Sequence, residues 1–265
     1  MTIKILMIGD IVGRPGRDVI RRRLPDFARE RDIDFVVGNG ENAAGGSGIM
    51  PALAEELLES GIDVITTGDH IWKRAQIAGY IEGDVPLLRP ANYPTEAAGR
   101  GSGVFASRNG RQVGVLNLIG RVYMMGPADC PFHAADTAVK NLARQTPIIL
   151  VDMHAEATSE KVAMGWYLDG RVTAVIGTHT HVPTADERVL PGGTAYITDI
   201  GMTGPYKSVL GRRVDRVLHR FTTGMYAHFD VAAEDVRLCG AVIEADPETG
   251  KALAIERITI RDSDS

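Results

Sequence analysis

The stretch Val-Thr-Ala-Val-Ile-Gly-Thr-His-Thr-His at residues 172–181 decides the fold class, because it joins a strand-like run to closely spaced polar side chains. The run at residues 172–176 is short and rich in β-branched side chains, which is typical of a strand buried on both faces. His179 and His181 follow directly, so both imidazoles leave the same end of that strand. The pattern predicts a buried sheet with polar chemistry at one edge.

The same pattern, an apolar run that ends at polar residues, recurs along the chain. The other predicted strands span residues 3–8, 35–37, 64–67, 113–118, 148–151 and 195–197. The spacing of apolar residues between them predicts helices at 18–31, 51–60, 137–145 and 159–168. Alternating strands and helices indicate an α/β layered fold. Residues 229–260 predict antiparallel strands at a sheet edge, joined by a turn at 246–250.

Composition and charge describe an ordinary globular chain of 265 residues. Hydrophobic residues make up 44% and charged residues 24%, which excludes disordered, collagen-like and coiled-coil proteins. The net charge of −5 disfavours general binding of nucleic acids but allows a local basic site. The length and the lack of sequence repeats or long linkers predict one domain over residues 1–265.

Cysteine usage and hydropathy favour an intracellular protein. The two cysteines, Cys130 and Cys239, are too few for a disulfide scaffold, and they lack the Cys-x-x-Cys spacing of thiolate metal sites. The N-terminal run reaches the polar residue Asp10 at once, which is unlike a signal peptide. No apolar run approaches the roughly 18–20 residues of a membrane helix. We therefore expect a cytoplasmic protein with no membrane partner.

Carboxylates and imidazoles come directly after several predicted strands, although they are far apart in sequence. These residues are Asp10, Glu41, Asp69, His70, His154, His179 and His181. The loops after the carboxyl ends of parallel strands meet at one rim, so these side chains should converge. Taken singly, Asp10 and His154 are more often a cap and a hydrogen-bonded structural residue, and Glu41 could belong to a turn, whereas the pair His179 and His181 is less easily explained in this way. The set as a whole favours a two-metal site, since imidazole is a common ligand of zinc, iron and manganese.

The mixture of residue types suits a pair of divalent cations. Two ions about 3.5–4 Å apart need a shared anionic bridge, for which Glu41 is the candidate. The other expected ligands divide between the two ions, with Asp10 and His181 on one and Asp69, His154 and His179 on the other. A water that bridges both ions would lose a proton near neutral pH and become the nucleophile. The ions would also offset the charge that builds up on a phosphate during in-line displacement.

Several segments together resemble the YmdB-like metallophosphoesterases, a branch of the calcineurin-like phosphoesterase superfamily. The resemblance covers roughly residues 3–260, and no single motif in it is specific alone. The motifs occur in the expected order: Gly-Asp-Ile-Val-Gly at 9–13, Asn-Gly-Glu-Asn-Ala-Ala-Gly-Gly at 39–46, Gly-Asp-His-Ile-Trp at 68–72, Asn-Leu-Ile-Gly-Arg at 117–121, His-Ala-Glu-Ala-Thr-Ser-Glu-Lys at 154–161, Gly-Thr-His-Thr-His-Val-Pro at 177–183 and Thr-Asp-Ile-Gly-Met-Thr-Gly-Pro at 198–205. As a set they are highly specific.

The resemblance implies a four-layer α/β/β/α sandwich with a di-metal centre between loops. The implied metal ligands are Asp10, Glu41, Asn42, Asp69, His154, His179 and His181. The implied leaving-group acid is His70. The implied activity is hydrolysis of phosphodiesters, with 2′,3′-cyclic or 3′,5′-cyclic nucleotides such as cAMP as substrates and short RNA as an alternative. Iron or manganese would be the metal, and a homo-oligomer is expected.

Two positions depart from the usual pattern of the family. Asp69 stands where the family usually has asparagine, and its carboxylate adds a negative charge near the phosphate. This substitution keeps open an alternative, a metal-binding regulatory or scaffold protein with little turnover. Lys73 stands where the family often has an acidic residue, and it either attracts anionic substrate or simply faces solvent.

Three rival classes lack the motifs that they require. A serine hydrolase on a flavodoxin-like sheet needs a nucleophilic serine after Gly9-Asp10, but Ile11 stands there and no Gly-x-Ser-x-Gly elbow occurs. The glycines at 9–16 do not follow the Gly-x-Gly-x-x-Gly spacing of a dinucleotide-binding turn. No Gly-Lys-Ser/Thr sequence indicates a P-loop. A phosphodiesterase that uses His70 as general acid is therefore the favoured prediction.

Overall fold

A computed structural model describes residues 2–263, so the two ends of the predicted domain at 1–265 lie outside the described residues. Within this range the strands are β1 (Ile3–Ile8), β2 (Asp10–Ile11), β3 (Phe35–Asn39), β4 (Val64–Thr66), β5 (Ser102–Ala106), β6 (Gln112–Ile119), β7 (Ile149–His154), β8 (Ala174–Thr178), β9 (Arg188–Val189), β10 (Ala195–Ile197), β11 (Met202–Pro205), β12 (Val236–Ala245) and β13 (Ala252–Arg261). The helices are α1 (Gly13–Glu30), α2 (Pro51–Glu59), α3 (Ile77–Ile81), α4 (Pro131–Leu142), α5 (Thr158–Leu168) and α6 (Val214–Thr223), and a short 3₁₀ helix spans Ile71–Lys73.

The strands form two sheets, each with a parallel centre. The first sheet has the order β2-β11-β12-β1-β3-β4, with β13 paired to β12. In it, β1, β3 and β4 run parallel, while β12 runs antiparallel to β1. The second sheet has the order β5-β6-β7-β8-β10-β9, with β6, β7, β8 and β10 parallel. Because these strands run parallel, the carboxyl ends of the parallel strands in each sheet lie along one edge.

Three apolar clusters separate four layers, which confirms the predicted α/β/β/α sandwich. In β1, Leu6 and Ile8 belong to the cluster under α1 and α2, whereas Ile5 and Met7 belong to the cluster between the sheets. The third cluster lies between the second sheet and the helices α4 and α5. Successive side chains of a strand point to opposite faces, so strands covered on both sides are apolar throughout. This explains why the short runs in the sequence lack a polar face.

The helices begin close to their predicted positions, with two earlier starts. Helices α2 and α4 each open with a proline, whose missing N–H is not needed in the first turn. Helix α1 begins at Gly13 and α4 at Pro131, five and six residues before the predicted starts. No helix within residues 2–263 has the length and apolar character that crossing a membrane requires.

The C-terminal hairpin is antiparallel, as expected, but only one of its strands lies at the edge. Strand β12 pairs with β1 on one side and with β13 on the other. The prediction that both strands lie at a sheet edge is therefore wrong for β12. Its long buried stretch gives the physical reason, because side chains from Leu238 to Ile243 are covered on both faces of the sheet.

Candidate metal centre

Both sheets contribute polar residues to one rim of the sandwich. In the first sheet, Asp10 lies in β2, Glu41 and Asn42 follow β3, and Asp69 and His70 follow β4. In the second sheet, His154 is the last residue of β7, while His179 and His181 follow β8. The contacts below connect all eight predicted site residues into one cluster. The expectation that strand ends bring them together is met.

The tightest group consists of two carboxylates and two imidazoles. Glu41, Asp69, His154 and His179 each offer one ligand atom, and these atoms lie within 4.8 Å of one another. His154 Nε2 is at the centre, 3.2 Å from Glu41 Oε1 and 3.4 Å from Asp69 Oδ1. The Nδ1 atom of His179 lies 3.1 Å from the same nitrogen. Two imidazole nitrogens and two carboxylate oxygens facing one point form a donor set that suits a transition metal.

A second group of donors adjoins the first through Glu41. The Asn42 amide donates to Glu41 Oε1 at 3.1 Å and lies 3.2 Å from His181 Nε2. That histidine nitrogen is 3.8 Å from Asp10 Oδ1. Glu41 therefore lies between two sets of potential ligands. This is the arrangement that a bridging carboxylate requires.

Two buried carboxylate oxygens test whether these residues fit a metal. Asp10 Oδ1 and Asp69 Oδ1 are buried and have no hydrogen-bond partner within residues 2–263. A buried polar atom without a partner is costly, so native structures nearly always satisfy such atoms with a donor, a water or an ion. Each oxygen faces a histidine nitrogen of the cluster. The residues fit a metal ion in each group.

Each of the three histidines uses one ring nitrogen outside the cluster. His154 Nδ1 lies 2.9 Å from Thr178 Oγ1, His179 Nε2 lies 3.1 Å from Glu156 Oε2, and His181 Nδ1 lies 3.2 Å from the carbonyl oxygen of Leu210. An acceptor on one ring nitrogen holds the proton there and leaves a lone pair on the other. The inward nitrogens are therefore free to bind a cation.

A buried hydrogen-bond network behind His154 joins the two sheets. Thr178 donates to Asp152 Oδ1 at 2.7 Å, so its oxygen accepts from His154 Nδ1. The other oxygen of Asp152 accepts from Asn39 and Thr66 of the first sheet. Sequence reasoning missed this network. The available signal was that Asp152 precedes His154 by two residues in one strand, which puts both side chains on one face.

The loop that carries His179 and His181 has an unusual backbone and a buried support. Both histidines have positive φ angles, 95° and 65°, a region that side-chain-bearing residues rarely adopt. Thr180 between them donates its N–H and its hydroxyl to Asp199 Oδ2. That oxygen also accepts from Lys161 Nζ at 2.7 Å, and both of these charged side chains are buried. Such strain persists only where surrounding contacts hold it.

Gly68 permits the close approach of the two sheets at the cluster. A side chain at this position would collide with the ring of His154 and with the carboxylate of Glu41. Only glycine lets the turn before Asp69 pass so close to both donors. The close packing at this turn therefore explains why the Gly-Asp-His motif begins with glycine.

The electrostatics of the cluster favour a positive charge between its carboxylates. Burial raises the pKa of Asp10 to about 6, although His181 and His154 act in the opposite direction. Burial also opposes ionisation of Glu41, but His154 lowers the pKa of Glu41 well below its usual value. Burial would lower the pKa of His154, yet Glu41 raises it well above its usual value. Burial and the neighbouring His154 lower the pKa of His179 to about 4.

His70 lies where the buried donors meet an open cleft. Its Nδ1 is 3.0 Å from Asn42 Oδ1, and its Nε2 is 3.5 Å from Asp69 Oδ2. Its main-chain N–H donates to Glu41 Oε2. The side-chain contact of its Nδ1 with Glu41 Oε1, at 3.4 Å, raises the pKa of His70. The ring is about 30% exposed, so it contacts both the cluster and the cleft.

The cleft has a volume of about 310 Å³, and its lining includes Glu41, His70, His179 and Arg212. Sequence reasoning missed Arg212, which follows β11 in a loop without periodicity. Its guanidinium donates to the carbonyl oxygens of Gly45, Gly46 and Phe229. Lys73, in contrast, is exposed and does not line the cleft.

Comparison with known proteins identifies the family. The chain matches the family described as "YmdB-like protein" over residues 6–258. The chain belongs to the YmdB-like family. This confirms the resemblance seen in the sequence motifs.

One relative and two solved structures are similar to nearly the whole chain. A 2′,3′-cyclic-nucleotide 2′-phosphodiesterase of Bacillus subtilis (strain 168) is 48% identical over 261 residues, covering 98% of each chain. A crystal structure of a hypothetical protein from Thermus thermophilus has a TM-score of 0.90 at 39% identity, covering 98% of this chain and 99% of that one. A crystal structure of a novel phosphatase of Mycoplasma pneumoniae has a TM-score of 0.91 at 36% identity, covering 98% of this chain and 94% of that one.

Proposed function

We propose that this chain is a dinuclear-metal phosphodiesterase that hydrolyses 2′,3′-cyclic nucleotides, with other cyclic nucleotides as secondary substrates. Membership of the YmdB-like family and the likeness to a phosphodiesterase and a phosphatase support a phosphoesterase hydrolase. The observation that carries the proposal is the meeting of Glu41, Asp69, His154 and His179 within 4.8 Å. The name of the Bacillus subtilis relative supports the 2′,3′-cyclic substrate.

The proposed ligands divide into two groups that share Glu41. Asp69, His154 and His179 hold one cation, and Asp10, Asn42 and His181 hold the other. When bound, two divalent ions supply activation of a water molecule and neutralisation of charge on the phosphate. Iron or manganese is the proposed metal, because both accept imidazole together with carboxylate oxygen.

The chain's own residues orient the substrate and move the proton. Attack of water on phosphorus breaks the bond between phosphorus and O2′, and the departing oxygen then needs a proton. His70 lines the cleft beside the cluster, and we assign it as the general acid that delivers this proton. The Asn42 side-chain oxygen, 3.0 Å from its Nδ1, orients the ring. Arg212 lines the same cleft, and we assign it to contact a phosphate oxygen.

The first experiment measures metal content and turnover together. Freshly purified protein is subjected to elemental analysis and then assayed with 2′,3′-cAMP, 3′,5′-cAMP and short RNA, with added manganese or iron and with chelator. We expect about two ions per chain and hydrolysis of 2′,3′-cAMP that chelator abolishes. Metal binding without turnover would favour the regulatory or scaffold alternative that Asp69 leaves open.

The second experiment tests His70. His70→Ala should retain both ions and lose about 10²–10⁴-fold in turnover, which is the usual contribution of a positioned acid. An exposed histidine, His219, provides the matched control as His219→Ala. A variant rate near that of the wild type would reject the assigned role.

The predicted homo-oligomer, the cytoplasmic location and the single domain over 1–265 stay predictions.

A further inference from the structure

A second cavity adjoins the candidate metal centre and is lined by arginines. Its volume is about 780 Å³. Four arginines contribute to its wall: Arg14, Arg74, Arg212 and Arg220. Since the chain as a whole carries a net charge of −5, this concentration of positive charge is local.

The acidic neighbours neutralise only part of this charge. Asp230 also lines the cavity, and its carboxylate lies 3.8 Å from Arg216 and 3.5 Å from His228. Asp18 lies 3.4 Å from Arg14 in an exposed pair. Exposed pairs of this kind are weak and screened by salt. The acidic side chains therefore do not neutralise the four arginines, and the cavity keeps an excess of positive charge.

The remaining arginines donate to or stack on uncharged groups, although the Asp230 carboxylate also attracts Arg212. Arg74 donates to the carbonyl oxygen of Ala44, and Arg212 donates to carbonyl oxygens of the glycine loop. Arg220 lies over the ring of Phe229, 5.4 Å from its centre. These contacts orient the guanidinium groups without neutralising them. Oriented guanidinium groups recognise phosphate well, because their planar N–H groups match its oxygens.

The arginine cavity and the metal cleft share a wall at Arg212. Arg212 lines both spaces, while Gly45 lines the cavity and its neighbour Gly46 lines the cleft. The first turn of α1 also faces the cavity through Arg14 and Pro15, and this turn contains no acidic residue. The positive end of an 18-residue helix adds to the attraction for an anion. A ligand bound in the cleft and long enough to pass Arg212 would reach this cationic space.

We infer that the arginine cavity binds a second phosphate of the substrate, on the 5′-oxygen of the nucleoside whose cyclic phosphate is hydrolysed. The inference rests on the proposed function, and it narrows the substrate class. A free cyclic nucleotide lacks this group. A 5′-phosphorylated cyclic nucleotide and an RNA chain that ends in a 2′,3′-cyclic phosphate both carry it. The shared phosphate is the recognised group, and the test separates its two sources.

The experiment compares three substrates in metal-loaded protein. They are 2′,3′-cAMP, the same nucleotide with a 5′-phosphate, and the dinucleotide ApA ending in a 2′,3′-cyclic phosphate. We expect kcat/KM to be about tenfold higher for the two substrates with the second phosphate, mainly through a lower KM, since two exposed guanidinium contacts contribute a few-fold each. Their kcat/KM should also fall more steeply with salt concentration, because phosphate binding releases counterions.

The variants remove cavity arginines that lie away from the metal cleft. Neither Arg14 nor Arg220 lines the cleft, so the double variant Arg14→Ala/Arg220→Ala targets the second phosphate. The preference for the longer substrates should fall from about tenfold to about twofold, and their salt dependence should weaken. Arg144→Ala replaces an exposed arginine beyond α4 and is expected to keep the preference.

Each outcome decides the inference. A gain for both longer substrates supports it. A larger gain for the 5′-phosphorylated nucleotide identifies the phosphate monoester as the preferred source, a larger gain for the dinucleotide identifies the RNA chain, and an equal gain shows that the phosphate is recognised from either source. Equal kcat/KM for all three substrates overturns it while leaving the proposed function intact, and so does a double variant that keeps the preference. No metal-dependent turnover of any substrate overturns the proposed function and this inference with it.

Discussion

The two sheets contribute different chemistry to the same rim. The first sheet supplies the oxygen donors, namely Asp10, Glu41, Asn42 and Asp69, from a short strand and from loops. The second supplies the imidazoles His154, His179 and His181. Each of the three imidazoles has an acceptor of its own on the ring nitrogen that points away from the cluster. The cluster therefore depends on how the two sheets pack against each other.

Because of this difference, substitutions in the two halves of the site should affect metal binding in different ways. A change to a carboxylate of the first sheet alters the charge that attracts a cation. A change behind an imidazole of the second sheet alters only the orientation of a donor, and partners behind metal-binding histidines usually contribute 10–100-fold in affinity. The expected effects should follow this order, from the shared carboxylate to the exposed acceptor.

The largest effect is expected for the carboxylate between the two groups. Glu41→Gln keeps the size of the side chain but removes the charge that His154 Nε2 and the proposed cations share. We expect metal content to fall to one ion per chain or fewer, and turnover to fall by more than about a hundredfold, beyond the range for outer partners. Elemental analysis and the 2′,3′-cAMP assay measure both.

Glu59→Gln changes an exposed glutamate on α2 and serves as the control for Glu41→Gln. It should match the wild type in metal content and in rate. Two ions and an unchanged rate in Glu41→Gln would show that the shared carboxylate is dispensable, and the division of roles between the sheets would be wrong.

The next effect concerns the buried support of the histidine loop. Lys161→Met removes one partner of a buried ion pair and leaves Asp199 without its cation, which should cost about 3–5 kcal/mol. The free energy of unfolding of chelated protein, measured in urea, checks this value. Lys140→Met replaces an exposed lysine of α4 and should change stability little. A loss below about 1 kcal/mol would mean that Thr180 and its neighbours hold the loop without the pair.

The imidazole half of the rim could be predicted from sequence because the ends of neighbouring parallel strands in one sheet converge. His154 and the His-Thr-His pair each follow a buried run, and parallel strands bring such positions together whatever the details of packing. The runs that are apolar on both faces indicated a layered α/β fold, whereas the four layers were implied by the resemblance to the family. These predictions needed only the order of short segments along the chain.

The supports behind the rim could not be predicted, because they depend on packing between distant segments. Lys161 and Asp199 are 38 residues apart, and a buried lysine looks like a solvated helix residue in a sequence. Thr178 meets donors and acceptors from both sheets only after the sheets pack. Arg212 enters the cleft from a loop whose path no periodicity indicates.

An intermediate effect is expected behind His154. Thr178→Val removes the hydroxyl that accepts from His154 Nδ1 and donates to Asp152, so the imidazole loses its orienting partner. Metal affinity should fall about 10- to 100-fold. Thr178→Ser keeps the hydroxyl and should restore most of the affinity. Calorimetric titration with manganese measures the metal affinity of both variants. Equal losses in the two would indicate that the methyl group matters, through packing, rather than the hydrogen bond.

The smallest effect is expected behind His179, and it sharpens the comparison within the second sheet. Glu156 accepts from His179 Nε2 at 3.1 Å, but its side chain is about half exposed, so water competes for the same position. Glu156→Gln retains an acceptor oxygen and removes a screened charge, so metal affinity should fall only about two- to threefold. The same calorimetric titration measures it beside Thr178→Val. A loss as large as that of the buried threonine would show that charge, rather than burial, decides how strongly an outer acceptor holds its imidazole.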